Sequence, residues 1–180
     1  MIEIRDASPT DIDAITEITN ALIETTTYEW TSTPHTIADR LEWLDRHRAD
    51  GHPVLVAVDG DPGSDPGSEP GSEHAPVVGW AGYGDFRDTA RWPGYLPVVE
   101  HTIHIREGCW GRGIGRQLID ALTERARADG TRAMVGAIDG ENVDSIEFHR
   151  RLGFVEVGRL PGIGEKFGRP LDLVLMQLTL

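Results

Sequence analysis

Residues 98–128, VVEHTIHIREGCWGRGIGRQLIDALTERARA, narrow the choice of fold more than any other stretch of the chain. Val98 to Arg106 alternates its side chains across two faces, as a strand does. Glycines then recur at Gly108, Gly111, Gly113 and Gly115, after which Ile114, Leu118, Leu122 and Ala126 return at helical spacing until Asp129-Gly130 closes the helix. A strand that feeds an amphipathic helix through a tight glycine loop needs a sheet for the helix to cover, so the chain is α/β. The loop also carries chemistry. It presents successive backbone N–H groups unobstructed by side chains, at the end of a helix whose dipole favours anions, and a pyrophosphate suits that combination. It is not a Walker loop, because the Lys-Ser/Thr pair is absent, and it is not GxGxxG, because Arg116 stands where the third glycine would follow Gly111 and Gly113.

The rest of the chain reads around this unit. Residues 2–7 alternate as a strand, and Ser8-Pro9-Thr10-Asp11 opens a first helix striped by Ile12, Ile15, Ile18 and Leu22. Thr33-Pro34 repeats the capping logic for a second helix carrying Ile37, Leu41 and Leu44 and ending at Arg46-His47-Arg48 and Gly51. Strands follow at 53–58, 77–86, 98–106 and 132–138. Asn142 caps a short fourth helix that Gly153 stops, and FVEVGRL and LDLVLMQLTL supply two closing strands. The order is β-α-α-β-β-β-α-β-α-β-β, a mixed sheet rather than a doubly wound one.

Between the second and third strands, residues 59–76 (DGDPGSDPGSEPGSEHAP) repeat Pro-Gly-Ser three times, each followed by an acid. Such a segment has no apolar residue beyond Ala75 and builds no core; it reads as a surface loop inserted in one domain spanning 1–180. The 180 residues carry a net charge of -13, which disfavours nucleic acid and anionic membrane as partners. Acidity of this kind suits solubility, in salt-adapted proteins and elsewhere. No apolar run approaches the roughly 20 residues of a membrane span, and MIEIRDASP lacks the pattern of a signal peptide, so a cytoplasmic location is expected. Cys109 is the only cysteine, which removes internal disulfides and cysteine-based zinc sites, and no metal is expected.

The loop, the order of elements and four phrases, VEHTIHI, Asn142-x-x-Ser145, FHRRLGF and EKFGRPLDLVLMQL, make the chain resemble the GNAT superfamily of N-acetyltransferases. Within it, they are similar to the phosphinothricin and methionine sulfoximine N-acetyltransferase subgroup. The resemblance covers almost the whole chain except the Pro-Gly-Ser segment. It implies a GNAT-like, mixed but mainly antiparallel central sheet flanked by helices, a homodimer, and acetyl-CoA as co-substrate. In the superfamily the loop runs R/Q-x-x-G-x-G and binds the pyrophosphate of acetyl-CoA; here it is Trp110-Gly111-Arg112-Gly113-Ile114-Gly115, with Trp110 in place of Gln or Arg. Thr102, Ile103, His104 and Pro170 also depart from the subgroup's wording.

By that resemblance Ile103, Ile105, Trp110, Gly111, Arg112, Gly113, Ile114, Gly115, Arg116, Asn142 and Ser145 would hold the cofactor, with Asn142 free to cap its helix as well. An amine must shed its proton before it can attack a thioester, and Glu100, just ahead of the loop, is the candidate base; a solvated strand carboxylate is the plainer alternative. His149 is the candidate proton donor to the departing thiolate, if it is not simply a packed helical histidine. His101, facing the opposite side of the strand from Glu100, is read as structural. Tyr28, Glu29 and Trp30, with Arg87, Arg91 and Tyr95, stand where the subgroup builds its acceptor pocket. Lys166-Phe167-Gly168-Arg169 falls at a dimer contact or pocket rim. The implied reaction is direct acetylation of the amine of a small amino acid or analogue. A polyamine, a protein N-terminus or a lysine as acceptor, or a non-catalytic acetyl-CoA sensor, are the competing readings.

Overall fold

A computed structural model describes residues 1–60 and 75–180. Its elements run β1 (Ile2–Asp6), α1 (Ile12–Thr25), α2 (Ile37–Ala49), β2 (Val54–Asp59), β3 (Val77–Asp85), β4 (Val98–Ile105), α3 (Ile114–Ala128), β5 (Ala133–Asp139), α4 (Val143–Arg151), β6 (Val155–Lys166) and β7 (Arg169–Thr179). The seven strands form one sheet in the order β1-β2-β3-β4-β5-β7-β6. Every neighbouring pair is antiparallel except β4 with β5. This is the mixed α/β architecture, in the element order, expected from the sequence.

Alternation along the strands sorts apolar side chains onto two faces, and each face buries its own core. Val54, Val56, Val58 and Trp80 pack with Ile12, Ile15 and Ile18 of α1 and Leu44 of α2. On the other face Leu55, Ala81, Val99, Met134, Val174 and Met176 pack with Ile114, Leu118 and Leu122 of α3 and Ile146 of α4. Full burial of one such side chain stabilises the fold by about 1.5–3 kcal/mol. The helical stripes in the sequence are therefore the inward faces of helices lying on opposite sides of the sheet.

Two local readings need correction. The cap of α2 is Thr36, not Thr33: the Thr36 hydroxyl accepts from the Asp39 amide at 3.1 Å. Asn20 holds His35 through both its main-chain N–H and C=O, at 2.9 Å each, which keeps the chain extended until Thr36. The last two strands are also longer than FVEVGRL and LDLVLMQLTL suggested, joining in a hairpin around Phe167-Gly168. Pro161 and Gly162 look like strand breakers, but β6 lies at the sheet edge and its pairing is irregular between Leu160 and Gly164, so the missing proline N–H is tolerated. Residues 61–74 of the Pro-Gly-Ser segment lie outside the described residues; the strands flanking it, β2 and β3, pair antiparallel.

Candidate active site

The site begins where two parallel strands part. β4 and β5 share a register only from Val98–Ala133 to Glu100–Val135. Beyond Glu100, β4 stays paired with β3 and β5 with β7, and a cleft of about 840 Å³ opens between them. Thr102 to Ile105 of β4 form one wall and Gly136 to Asp139 of β5 another; the glycine loop, α4 and the segment after α1 complete it. Glu100, the last residue of the shared ladder, thus stands at the vertex.

At one end lies the start of α3. Gly113 is its N-cap, in the left-handed region at φ 76°, and no side chain caps the helix. Gly108 and Gly111 also have positive φ, at 81° and 76°. Among the described residues, a Cβ placed on Gly111 or Gly113 would meet nothing within 4 Å. Uncapped helical N–H groups behind a glycine shoulder are suited to phosphate oxygens. Gly111, Gly113, Ile114, Gly115 and Arg116 line the cleft, as does Trp110, whose indole Nε1 donates to the Ile105 carbonyl at 3.2 Å. Arg112 does not line it. Its guanidinium donates to the fully buried carboxylate of Asp59, at the end of β2, and so fastens the loop to the sheet.

Across the cleft, Asn142 caps α4 by accepting from the Ser145 amide at 3.1 Å. Both line the cleft with His149, one turn further on, and Ile103 and Ile105 face them from β4. The expectation for His149 changes here. The ring is 2% exposed; burial lowers its pKa against the raising effect of the Ser145 carbonyl, to which Nδ1 donates at 2.7 Å. Nε2 has no partner. Burial thus disfavours the imidazolium that would donate a proton, and the Nδ1–H is committed to the Ser145 carbonyl of α4. His101 packs beside it, ring centroids 5.1 Å apart, and burial then the charge of His149 lower its pKa to about 3. Gly136 is what lets both rings fit, since a Cβ there would approach His101 Nε2 to 2.9 Å.

On the α1/α2 side the cleft adjoins a second, smaller cavity of about 160 Å³, and Glu29, Glu100 and Thr102 border both. Arg40, Trp43, Trp80, His35, His47 and Tyr83 wall it. Arg40 lies over the rings of Trp43 and Trp80, 4.8 and 5.3 Å from their centroids, and donates to Thr19 Oγ1 at 2.9 Å. Burial raises the pKa of Glu100, opposed by the charge of Arg87. Glu29 is different: burial pushes its carboxyl up, but the hydrogen bond from His104 and the charges of His104, Arg40 and His35 outweigh it and hold it below the usual range. Two carboxyls share one mouth, one kept ionised and one biased toward holding a proton.

A profile of the acetyltransferase (GNAT) family matches residues 15–154. The chain belongs to that family. It is 44% identical to an L-methionine sulfoximine/L-methionine sulfone acetyltransferase of Pseudomonas aeruginosa, across 98% of this chain and 94% of that one. An L-amino acid N-acyltransferase of Escherichia coli is 34% identical over 99% of this chain and 94% of its own. The crystal structure of a phosphinothricin acetyltransferase from Sinorhizobium meliloti in complex with AcCoA superposes with a TM-score of 0.86 at 32% identity, covering 99% of this chain and 88% of that one.

The acetyltransferase brings Glu100, Tyr28, Glu29 and Trp30 together at the cleft, but not Arg87, Arg91 or Tyr95. Arg87 lies over the Phe86 ring at 4.4 Å, Arg91 over Trp92 at 4.6 Å, and Tyr95 packs 6.0 Å from Phe86 between ring centroids. These stackings keep the loop after β3 along the surface, and of the three only Arg87 reaches the site, through its charge on Glu100. Sequence reasoning passed over His104 as a partner for Glu29, although the alternation of Glu100, Thr102 and His104 placed it on the acceptor side. It also missed the seat of Lys166, the chain's only lysine, which is buried rather than at a rim. Among the described residues no His, Cys, Asp and Glu group could hold a metal ion, and no helix is long and apolar enough to cross a membrane.

Proposed function

We propose that the acetyltransferase moves the acetyl group of acetyl-CoA to the amine of a small amino acid or analogue of the methionine sulfoximine, methionine sulfone or phosphinothricin type. The observation that carries this reading is Glu100 at the vertex of β4 and β5, bordering both the large cleft and the small polar cavity. The cleft suits a long ligand with a pyrophosphate at the α3 end, held by the N–H groups of Gly111 to Arg116, and a pantetheine arm beside Ile103, Ile105, Asn142 and Ser145. The small cavity suits the acceptor.

Glu100 takes a proton from the acceptor's ammonium, directly or through one water. The freed nitrogen lone pair then attacks the thioester carbonyl carbon; a C–N bond forms, the C–S bond breaks, the sulfur leaves with its electron pair, and the second proton shed by the nitrogen goes to that sulfur, giving the amide and the free thiol. A thiolate whose conjugate acid has a pKa of about 8.5 leaves without a strong acid, so a neutral His149 is compatible with the step. In this reading transfer is direct, with no acyl-enzyme on Cys109, which is buried with Ile114 and Leu118 although it borders the cleft. Tyr28, Glu29 and Trp30 shape the acceptor side, and Arg87 adds positive charge near an acceptor's carboxylate.

The same reading includes a cytoplasmic homodimer. β6 is an edge strand carrying exposed Val155, Val157 and Ile163, with Phe167 exposed in the turn after it, and a second copy would cover these apolar side chains. The decisive experiment incubates the protein with acetyl-CoA and a panel of methionine sulfoximine, methionine sulfone, phosphinothricin, polyamines and peptides, and follows free thiol. Release with the amino-acid analogues alone supports the reading; release only with polyamines or peptides moves the acceptor class, and none with any amine removes the activity.

A further inference from the structure

We propose that the tip of the β6–β7 hairpin sets the position of the acceptor-side segment after α1, with Lys166 as its positioning residue. The inference rests on the acceptor assignment above.

Lys166 is 3% exposed although it is a lysine next to a turn. Its ammonium donates to three main-chain carbonyls: Ile23 at 2.7 Å, Thr26 at 2.8 Å and Glu29 at 2.5 Å. Two of these belong to the last turn of α1 and the residue after it, where helical carbonyls lack an internal partner; the third belongs to the residue that pairs with His104 in the cleft. The Phe167 ring stands over the same ammonium, 5.0 Å from centroid to Nζ. One cation thus gathers the carbonyls of residues 23–29 into a fixed curve and turns the Glu29 side chain to the mouth. Charged donors to carbonyls make stronger hydrogen bonds than neutral ones, and burial strengthens them further.

A second contact reaches the same segment from the same strand. Trp30 lies against Gly164, where a Cβ would come within 2.3 Å of its ring. The hairpin is built to deliver both. Lys166 pairs with Arg169 across a two-residue turn in which Phe167 and Gly168 both have positive φ, 53° and 72°. That conformation is strained for phenylalanine, and it is the tight turn whose twist matches flanking antiparallel strands. The strain goes with a turn that holds Lys166 and the Phe167 ring in place. Thr27, which donates to Asp139 of β5, fastens the segment at a further point.

The test uses Lys166→Met and, with the ammonium intact, Gly164→Ala. Steady-state kinetics with the best acceptor of the panel should show acceptor KM raised about tenfold or more in each, with acetyl-CoA affinity changed less than twofold. Hydrogen exchange of residues 24–31 in Lys166→Met should accelerate, while β4 and β5 keep their protection. Unchanged acceptor KM in both variants, or equal losses of acceptor and acetyl-CoA binding with exchange accelerated throughout the sheet, would overturn the proposal. If the wild-type protein acetylates no amine, the function falls, and the exchange of residues 24–31 still decides whether Lys166 holds the segment.

Discussion

The Glu29 carboxylate sits 2.9 Å from Nε2 of His104, joining the segment after α1 to the strand that carries Glu100. His104 is buried and its ring meets Trp80 edge-on at 5.0 Å, so the pair is fixed from behind by the core. Replacing Glu29 with Ala leaves a buried imidazole without its acceptor, a loss of about 1–3 kcal/mol. We expect Glu29→Ala to raise acceptor KM about tenfold and lower the thermal midpoint, with acetyl-CoA affinity preserved. Acceptor titrations beside acetyl-CoA calorimetry check this, and an unchanged acceptor KM would detach Glu29 from the site.

Glu100 gives a prediction about pH. Burial raises its pKa above the ordinary carboxylate value, with Arg87 opposing, and a base works only when ionised. Turnover should therefore rise with pH along a limb whose midpoint lies above 4.5. Glu100→Gln should reduce turnover by about 10²–10⁴ and abolish that limb while acetyl-CoA still binds. A variant that keeps wild-type turnover would exclude Glu100 as the base.

The glycine loop can be probed through backbone strain alone. A Cβ on Gly113 meets open space, yet its φ of 76° costs an L-residue about 1–2 kcal/mol. Gly113→Ala should weaken acetyl-CoA binding by about tenfold or more, measured by calorimetry, with little change in acceptor KM. Gly115→Val acts differently: its Cβ would lie 3.1 Å from the Phe148 ring, so it should also lower the melting temperature. An unaltered dissociation constant in both would refute the anion cradle.

His101 predicts acid sensitivity. Its folded pKa is depressed to about 3 from 6.5, so between those values the unfolded chain binds a proton that the folded chain does not. Its contribution to stability is complete above pH 6.5 and is lost as pH falls toward 3, by about 1.4 kcal/mol per pH unit. His149, depressed in the same direction, adds to the effect. Urea unfolding at pH 7 and pH 5 should show the loss, and His101→Leu should make it smaller. An equal loss in the variant would mean that other groups carry it.

Much of this protein is written locally. The period of Ile114, Leu118 and Leu122, the alternation of 98–106 and the glycines between them give the strand, the helix and the anion loop, because backbone propensity and side-chain period act within a few residues. Resemblance to the subgroup, rather than local pattern, points to Tyr28-Glu29-Trp30 and supports Glu100, and the fold collects all four at one cleft. What local pattern left undetermined is non-local. The guanidinium of Arg112 is turned from the cleft by Asp59, 53 positions away in the chain. Arg87, Arg91 and Tyr95 stack on neighbouring rings outside the lining of the cleft, and burial by the elements that cover His149 lowers its pKa. Lys166 shows the limit most clearly: a lone lysine beside a turn reads as a surface charge, and only packing of β6 against the end of α1 brings three carbonyls, 137 to 143 positions away, around its ammonium. Local pattern determines which elements form and which groups are available; the dielectric around each group and the partner it meets are set by the tertiary fold, because both depend on residues far apart in the chain.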